Sequence, residues 1–212
     1  VVPPKHYEAG EDQPANIYAA IKEISRRAEE DQITVVGNGS PCVVGGHAYE
    51  MKKGQRFLYN SAIASMGYDL PAAIGACMAA HDPEFEGDGY SKHDIILLTG
   101  EGSIQMNIQE LQTIIHHKMP IKIFLINNGG YHSIRQTQKN FFGEPLVGIG
   151  ADSGDLSFPD MEKLAAAYGY LYVKACHNSQ LPEAVEKTLS MEGPVICEIF
   201  VDMKQGLEPK AA

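Results

Sequence analysis

The turn Gly100-Glu101-Gly102-Ser103 places a carboxylate between two glycines, directly after a short apolar run that predicts a buried strand. The helical pattern that follows would direct unpaired backbone N–H groups and the positive end of the helix dipole toward this turn, which suits a diphosphate. Glu101 would repel that diphosphate unless a divalent cation lay between them, and a hard cation such as Mg²⁺ prefers oxygen ligands. The turn therefore predicts a site for a diphosphate and Mg²⁺. Ordinary turn glycines and helix caps are the alternative interpretation.

Two further polar turns also follow predicted strands. Asn128 comes directly after the apolar run IKIFLIN and could supply a neutral oxygen to a cation. The 24 residues from Ser103 to Ile126 correspond to one helix and one strand, which would bring the first two turns to the same edge of a parallel sheet. The third turn, from Gly37 to Ser40, follows the run ITVV. The sequence therefore predicts that three turns converge on one crevice.

The elements that would position these turns alternate between helix and strand patterns. Apolar residues at helical spacing predict helices over residues 16–30, 70–80, 104–118, 159–169 and 181–191. Apolar runs predict strands over residues 33–36, 56–60, 94–99, 121–127, 170–176 and 194–201. This alternation predicts an α/β fold of three layers, a mostly parallel sheet with helices on both faces. The acidic run 81–93 is predicted as a solvated loop, and residues 139–157 as a candidate lid.

The length and composition predict one domain over residues 15–203, preceded by a linker remnant at 1–14 and followed by a tail at 204–212. The formal net charge of −10 argues against nucleic acid and membrane partners, because phosphate backbones and anionic lipids attract basic surfaces. No apolar run reaches the roughly 18 residues of a membrane span, and no signal-peptide pattern opens the chain, so a cytoplasmic location is expected. The four cysteines lie far apart without metal-binding spacing, which predicts reduced thiols.

The run from Gly100 to Gly143 resembles the thiamine diphosphate signature of acetolactate synthase-like enzymes, in which a GDG turn is followed, one helix and one strand later, by NN. Upstream, SAIASMGYDLPAAIGA and TVVGNGS are similar to cofactor-binding segments of the same family. The resemblance covers about residues 16–202. It implies the carboxyl-terminal diphosphate-binding domain of that family, with thiamine diphosphate and Mg²⁺ as cofactors.

Residue by residue, the resemblance implies a metal site, a diphosphate site and a wall around a bent cofactor. Met66 would hold the cofactor in its bent conformation. The backbone of Ala64 would form a hydrogen bond with the edge of the pyrimidine ring. His132 would either transfer a proton, since a near-neutral pKa suits that task, or form part of the wall. Arg135 is expected either to meet a substrate carboxylate or to lie at the surface or at an interface. The implied metal ligands are Glu101, Asn128 and the carbonyl of Gly130, and the implied cofactor contacts are Asn38, Gly39, Ser40, Ala64, Met66, Gly100, Gly102, Ser103, Tyr131, His132 and Ser133.

The activity that the resemblance implies is decarboxylation of a small 2-oxo acid followed by ligation of the resulting enamine to a carbonyl acceptor. Simple decarboxylation and a non-catalytic cofactor-binding module are the alternatives. In the family, a pyrimidine-binding domain of the same or another subunit supplies the glutamate that activates the cofactor. The isolated chain is therefore expected to be inactive, and the enzyme is expected to be a homodimer or homotetramer.

Three features depart from the family pattern. Glu101 replaces aspartate and adds a methylene, which predicts retained but weaker Mg²⁺ binding. Ser133 and Thr137 stand where acetolactate synthases have Met and Trp, which predicts a different donor or acceptor. Residues 87–89 form a literal GDG, but 37 residues separate them from Asn127 and no apolar run precedes them, so we do not expect the site there.

Overall fold

The computed structural model describes residues 13–81 and 93–208, and its centre is a sheet of six parallel strands. The strands are β1 (Ile33–Val36), β2 (Arg56–Tyr59), β3 (Ile95–Gly100), β4 (Ile121–Asn127), β5 (Leu171–Ala175) and β6 (Val195–Phe200). They lie in the order β2-β1-β3-β4-β6-β5, and each neighbouring pair is parallel. After β1 the chain continues to its neighbour on one side, β2, and after β3 it continues to the neighbour on the opposite side, β4. A crevice therefore opens between the carboxyl ends of β1 and β3.

Strands β3 and β4 are apolar along most of their length because helices cover both faces at the centre of the sheet. Leu98 pairs with Phe124, and Gly100 pairs with Ile126. This register makes the carboxyl ends of the two strands level. The turns that follow β3 and β4 therefore begin side by side.

Three helices cover one face of the sheet: α1 (Ile17–Arg27), α2 (Ser40–Ala48) and α7 (Leu181–Ser190). Helix α1 begins at Asn16, whose side-chain oxygen accepts hydrogen bonds from the backbone N–H groups of Tyr18 and Ala19. Its residues Ile21 and Ile24 are fully buried in the core on this face. The apolar stripe predicted for this helix is thus what holds it to the sheet.

The opposite face carries α3 (Asp69–Ala80), α4 (Glu110–His116) and α6 (Met161–Tyr168). Helix α3 places the small buried side chains of Ala73 and Cys77 in the core, which lets it approach the sheet closely. A further helix, α5 (His132–Phe141), begins beside the crevice shortly after β4. The predicted three-layer α/β fold is confirmed.

Three segments differ from the elements that the sequence predicts. Helix α2 is not predicted, because Gly45 and Gly46 lower helix propensity; Gly45 packs so close to Phe57 that an added Cβ would lie 3.0 Å from its ring. No helix is predicted between the strand at 121–127 and residue 159, yet α5 begins at His132. The predicted helix over 104–118 divides into a 3₁₀ turn at Ile104–Asn107 and the shorter α4.

The packed part of the chain reaches beyond the predicted boundary at residue 203. Leu207 is buried beside α1, and the Gln205 side-chain oxygen accepts the Ile17 N–H at 3.0 Å. The predicted acidic loop, except for its ends, the GDG at 87–89, residues 1–12 of the predicted linker and the last four residues lie outside the described residues. The boundaries of the domain therefore stay a prediction.

The four cysteines, at positions 42, 77, 176 and 197, are free thiols, which confirms the expectation of reduced cysteines. Within residues 13–81 and 93–208, no helix has the length and apolar character that crossing a membrane requires.

We predict that Lys122→Met lowers the free energy of unfolding by about 2–3 kcal/mol, measured by urea denaturation. Lys122 is fully buried on β4, and its ammonium donates to the carbonyls of Met191 and Gly193 and lies 3.1 Å from the Asp94 carboxylate. Methionine would fill the space but leave those carbonyls without their donor. Lys163→Met is the control because that side chain is 85% exposed. Equal losses in both variants would contradict this role.

Candidate functional site

The crevice lies at the carboxyl ends of β1, β3 and β4, as predicted from the three polar turns. The structure brings all fourteen predicted site residues to its lining: Asn38, Gly39, Ser40, Ala64, Met66, Gly100, Glu101, Gly102, Ser103, Asn128, Gly130, Tyr131, His132 and Ser133. It adds three residues that the sequence did not suggest, namely Pro41, Ile126 and Ile134. Pro41 and Ile126 directly flank predicted residues or turns, whereas Ile134 is recognisable only once α5 is known.

The turn after β1 leads directly into α2, whose amino terminus faces the crevice. Gly39 precedes the helix with φ of +81°, and Ser40 and Pro41 form its first turn. A helix amino terminus carries unsatisfied N–H groups and partial positive charge. This wall of the crevice is therefore suited to an anion.

Oxygen atoms from the other two turns converge beside that wall. The Glu101 Oε1 accepts the N–H of Gly130 at 2.5 Å, which ties the β3 turn to the β4 turn. The Asn128 amide donates to Ser40 Oγ at 3.1 Å, and its other end lies 3.2 Å from Glu101 Oε1 and 2.5 Å from the Gly130 carbonyl oxygen. With its NH₂ group at that end, Asn128 would donate to both oxygens. With its oxygen there, the amide would join the Glu101 carboxylate and the Gly130 carbonyl as an oxygen ligand, which is the orientation that a bound hard cation favours. The residues therefore fit a divalent cation.

The Glu101 carboxylate is only 2% exposed. Burial raises its pKa to about 7, although the N–H groups of Glu101, Gly130 and Asn128 and the charge of Arg135 act in the opposite direction. A carboxylate in this position is costly to ionise by itself, so a cation beside it would lower that cost.

Glycine is required at position 130 by two features of the turn. Its φ is +150°, and an added Cβ would lie 2.1 Å from the Ile149 carbonyl oxygen. Gly130 forms an antiparallel bridge with Gly150, and the Tyr131 N–H donates to Ile149 at 2.7 Å. The segment before α6 is thereby attached to the turn that holds the oxygen cluster.

The segment of Ala64 and Met66 approaches the crevice from the loop between β2 and α3. Ala64 has φ of +55°, an uncommon conformation for a residue with a Cβ. The Gly67 N–H donates to Ser103 Oγ at 2.9 Å, and the Gly67 carbonyl accepts from the Asn107 amide at 2.6 Å. These bonds hold Met66, which is half-buried, against the turn that contains Glu101.

The remaining wall comes from Tyr131 and the start of α5. The Tyr131 ring packs so closely on Gly102 that an added Cβ would lie 2.3 Å from it. His132 is 7% exposed, and neither of its ring nitrogens forms a hydrogen bond of regular geometry with the described residues, although the backbone of Met203 lies nearby. Burial and the neighbouring Arg135 lower its pKa, so the imidazole is neutral near pH 7.

The structure places Arg135 neither at the surface of the chain nor in the lining of the crevice, which contradicts the predicted contact with a substrate carboxylate and the predicted surface position; a position at an interface stays a prediction. Its side chain is 4% exposed and does not line the crevice. It binds both carboxylate oxygens of Asp152 at 2.8 and 2.9 Å and donates to the Gly129 carbonyl at 3.2 Å. The guanidinium therefore joins the predicted lid segment to the turn after β4.

The sequence reasoning also missed Asp69, which lies beneath the crevice and is fully buried. Its carboxylate accepts from the Thr99 hydroxyl at the end of β3, and burial raises its pKa. The same carboxylate lies so close to Gly37 that an added Cβ there would be 2.5 Å from it. Asp69 thus joins the turn after β1 to β3. The signal for it was an aspartate within an otherwise apolar, alanine-rich helix.

Comparison with known proteins identifies the family. Residues 37–199 match the family described as "Thiamine pyrophosphate enzyme, C-terminal TPP binding domain". The chain belongs to this family. Thiamine diphosphate is therefore the cofactor of this TPP-binding domain, with Mg²⁺ as its usual partner ion. This confirms the family, the fold and the cofactors that the sequence suggested.

The relatives of this TPP-binding domain include acetolactate synthases. The acetolactate synthase large subunit of Cyanidium caldarium is 33% identical over 158 residues, which are 74% of this chain and 25% of the relative. Isozyme 2 of the Escherichia coli enzyme is 27% identical over 201 residues, 93% of this chain and 34% of the relative. The chloroplastic enzyme of Arabidopsis thaliana is 28% identical over 194 residues, 90% of this chain and 27% of the relative. The chain thus spans only about a quarter to a third of the length of these relatives.

We predict that Asp152→Asn loosens the segment 142–160 and costs about 1–2 kcal/mol of stability at pH 7, since Arg135 loses its charged partner. The Arg135 hydrogen bonds lower the pKa of Asp152, so the ion pair stabilises the fold above pH 4 and is lost as the pH falls through that lowered pKa. The difference from the parent should therefore shrink toward pH 3. Urea denaturation at several pH values and limited proteolysis would measure both effects.

Glu192→Gln, at an exposed position, is the matched control for this carboxylate-to-amide change. A stability difference for Asp152→Asn that stays constant from pH 7 to pH 3, or unchanged cleavage of the segment, would contradict the ionic attachment.

Proposed function

We propose that this crevice holds the diphosphate end of thiamine diphosphate, with Mg²⁺ bound by Glu101, the Asn128 side-chain oxygen and the Gly130 carbonyl. The single observation that carries the proposal is the convergence of the Glu101 carboxylate, the Gly130 carbonyl and the Asn128 amide, from two adjacent strand ends, beside a helix amino terminus. A dication there would offset the cost of the buried Glu101 charge and join the protein to an anionic ligand.

The diphosphate itself is proposed to contact the turns after β1 and β3. The partial positive charge at the start of α2 favours an anion beside Asn38, Gly39 and Ser40. On the other side, the diphosphate is proposed to contact the backbone of Gly100 and Gly102 and the Ser103 hydroxyl. We call these two turns together the diphosphate cradle. The Ser103 hydroxyl already accepts the Gly67 N–H, so its role includes holding the Met66 segment.

Met66 and Ala64 are proposed to support the rest of the cofactor, opposite Tyr131 and Ser133. The support for this is that all four residues line one crevice, and that hydrogen bonds at both the N–H and the carbonyl of Gly67 fix the segment of Met66. When bound, the cofactor supplies the electron sink that decarboxylation of a 2-oxo acid requires.

His132 is proposed to transfer a proton to or from the bound substrate. A neutral imidazole has one donor and one acceptor nitrogen, and neither forms a regular hydrogen bond within the described part of the chain, at the crevice wall. Because burial lowers its pKa, His132 is available as an acceptor near neutral pH. A role as wall alone would leave at least one buried ring nitrogen without a partner, which is costly.

For the whole enzyme, we propose decarboxylation of a small 2-oxo acid and ligation of the remaining fragment to a carbonyl acceptor. The support is the set of relatives named acetolactate synthase, each much longer than this chain. The activating glutamate is proposed to come from a pyrimidine-binding domain of the same or another subunit, in a homodimer or homotetramer. The domain bounds at residues 15 and 203 and a cytoplasmic location stay predictions; the relatives include chloroplastic proteins.

We expect calorimetric titration of thiamine diphosphate into the 212-residue chain to give saturable heat with Mg²⁺ and none with a chelator. Asn128→Ala and Glu101→Gln should weaken this binding about 100-fold or more, because each removes an oxygen ligand or its charge. Glu101→Asp should keep the Mg²⁺ dependence, since the carboxylate is retained.

Asn140→Ala is the matched control for Asn128→Ala, because Asn140 is exposed on α5 and outside the crevice. Equal heats with Mg²⁺ and with chelator would overturn the metal assignment. Unchanged affinity in Asn128→Ala would overturn the ligand set.

We also expect the chain alone, with cofactor and Mg²⁺, to release no carbon dioxide from pyruvate above the buffer control. The physical reason is that the glutamate proposed to activate the cofactor belongs to another domain. A coupled carbon dioxide assay checks this, and appreciable turnover by the chain alone would contradict it.

Product analysis of the longer enzyme that contains this domain separates the two activities. A hydroxyketone, or a 2-hydroxy acid that carries an acyl group on its second carbon, formed from pyruvate would support ligation. A free aldehyde as the sole product would support simple decarboxylation instead.

A further inference from the structure

The carboxylate of Glu198 has no part in the site described so far, yet it is buried one strand away from it. Glu198 is 3% exposed on β6, where its neighbours Cys197 and Ile199 belong to the core. Its two oxygens accept from the Asn127 amide at 2.7 Å and from the Tyr172 hydroxyl at 2.5 Å. Both donors are neutral, and a buried carboxylate costs more than an apolar residue of similar size. A stability role alone therefore does not account for a carboxylate here.

Asn127 connects this carboxylate to the turn that contains Asn128 and Gly130. The Nδ2 of Asn127 donates to Glu198, and its Oδ1 accepts the N–H of Gly129 at 3.0 Å. Gly129 lies between the two residues proposed to bind Mg²⁺ from this turn. The Asn127 amide therefore fixes the peptide that joins those two ligands.

The direction of the Asn127 amide depends on the chemistry of residue 198. An ionised carboxylate only accepts hydrogen bonds, so it requires the NH₂ end of Asn127 and leaves the oxygen end for Gly129. An uncharged amide at position 198 would offer both a donor and an acceptor, and the opposite orientation of Asn127 would then become accessible. In that orientation the NH₂ group would face the Gly129 N–H, and the turn would lose its fixed geometry.

We propose that Glu198 is a positioning residue for the Mg²⁺ site, acting through Asn127 on the peptide of Gly129. This inference rests on the proposed metal ligands Asn128 and Gly130. Outer partners of metal ligands typically change metal affinity by about 10- to 100-fold when they are replaced. Glu198 reaches the ligands through one further side chain and one peptide, so we expect the lower end of that range.

The test compares Glu198→Gln, Asn127→Asp and the exchanged pair Asn127→Asp with Glu198→Gln. In Glu198→Gln the direction of the Asn127 amide is no longer imposed, and in Asn127→Asp two carboxylates face each other. In the exchanged pair, an aspartate at 127 can accept from both Gly129 and the new amide at 198, whose oxygen can still accept from Tyr172. The exchange therefore restores all three hydrogen bonds, with the charge moved from position 198 on β6 to position 127 on β4.

The first measurement is the Mg²⁺ concentration needed to support thiamine diphosphate binding to the 212-residue chain, by calorimetry. We expect Glu198→Gln to raise it about tenfold, Asn127→Asp to raise it at least as much, and the exchanged pair to recover most of the loss. Tyr172→Phe is the matched control, because it removes one hydrogen bond of Glu198 without changing what Asn127 must donate to. Its effect should be clearly smaller than that of Glu198→Gln.

The second measurement needs no cofactor: amide hydrogen exchange at Gly129, followed by NMR together with thermal unfolding. Exchange should be faster in Glu198→Gln than in the parent and slow again in the exchanged pair, which a general loss of stability would not produce. Parent-like Mg²⁺ dependence in Glu198→Gln, or an exchanged pair weaker than either single variant, would overturn the proposal while leaving the metal site standing. Absence of Mg²⁺-dependent binding in the parent would overturn the metal site, and the role of Glu198 with it.

Discussion

The burial of one carboxylate organises the centre of this molecule. Glu101 lies at the end of β3 with 2% exposure, where an ionised group is costly unless hydrogen bonds and a cation compensate it. The N–H of Gly130 reaches its oxygen only because the turn after β4 adopts a φ of +150° and carries no Cβ against Ile149. The level ends of β3 and β4 bring the two turns within hydrogen-bond distance. The strand register, the turn conformation and the glycine at position 130 thus together allow the buried Glu101 carboxylate to be stabilised by a hydrogen bond.

The turn after β4 is held from two sides by contacts within the chain. On one side Arg135 binds Asp152 and the Gly129 carbonyl, and Gly130 pairs with Gly150. On the other side Glu198 holds the amide of Asn127. A site for a hard cation gains from such support, because small errors in ligand position weaken the binding of an ion with strict geometry.

The cradle and the wall of the crevice come from different kinds of structure. The cradle consists of turns at the ends of buried strands, and most of its proposed contacts with the diphosphate come from backbone groups. The wall is built from side chains of Tyr131, His132 and Ser133 at the start of α5. Under the proposed function, the cradle binds the part of the cofactor common to the family, and substrate choice depends on the wall.

The amino-acid sequence by itself determined the alternation of strands and helices, the three polar turns and the residues on them. These depend on local periodicity and on short spacings, which parallel topology converts into neighbours at one sheet edge. It did not reveal α2 or the start of α5, because Gly45, Gly46 and the short polar run near His132 carry weak helical signals that packing overrides. The partners of Arg135, Asp69 and Glu198 were decided only by the tertiary structure. Each of these contacts joins residues from different elements, and no local pattern records which buried charge will meet which donor.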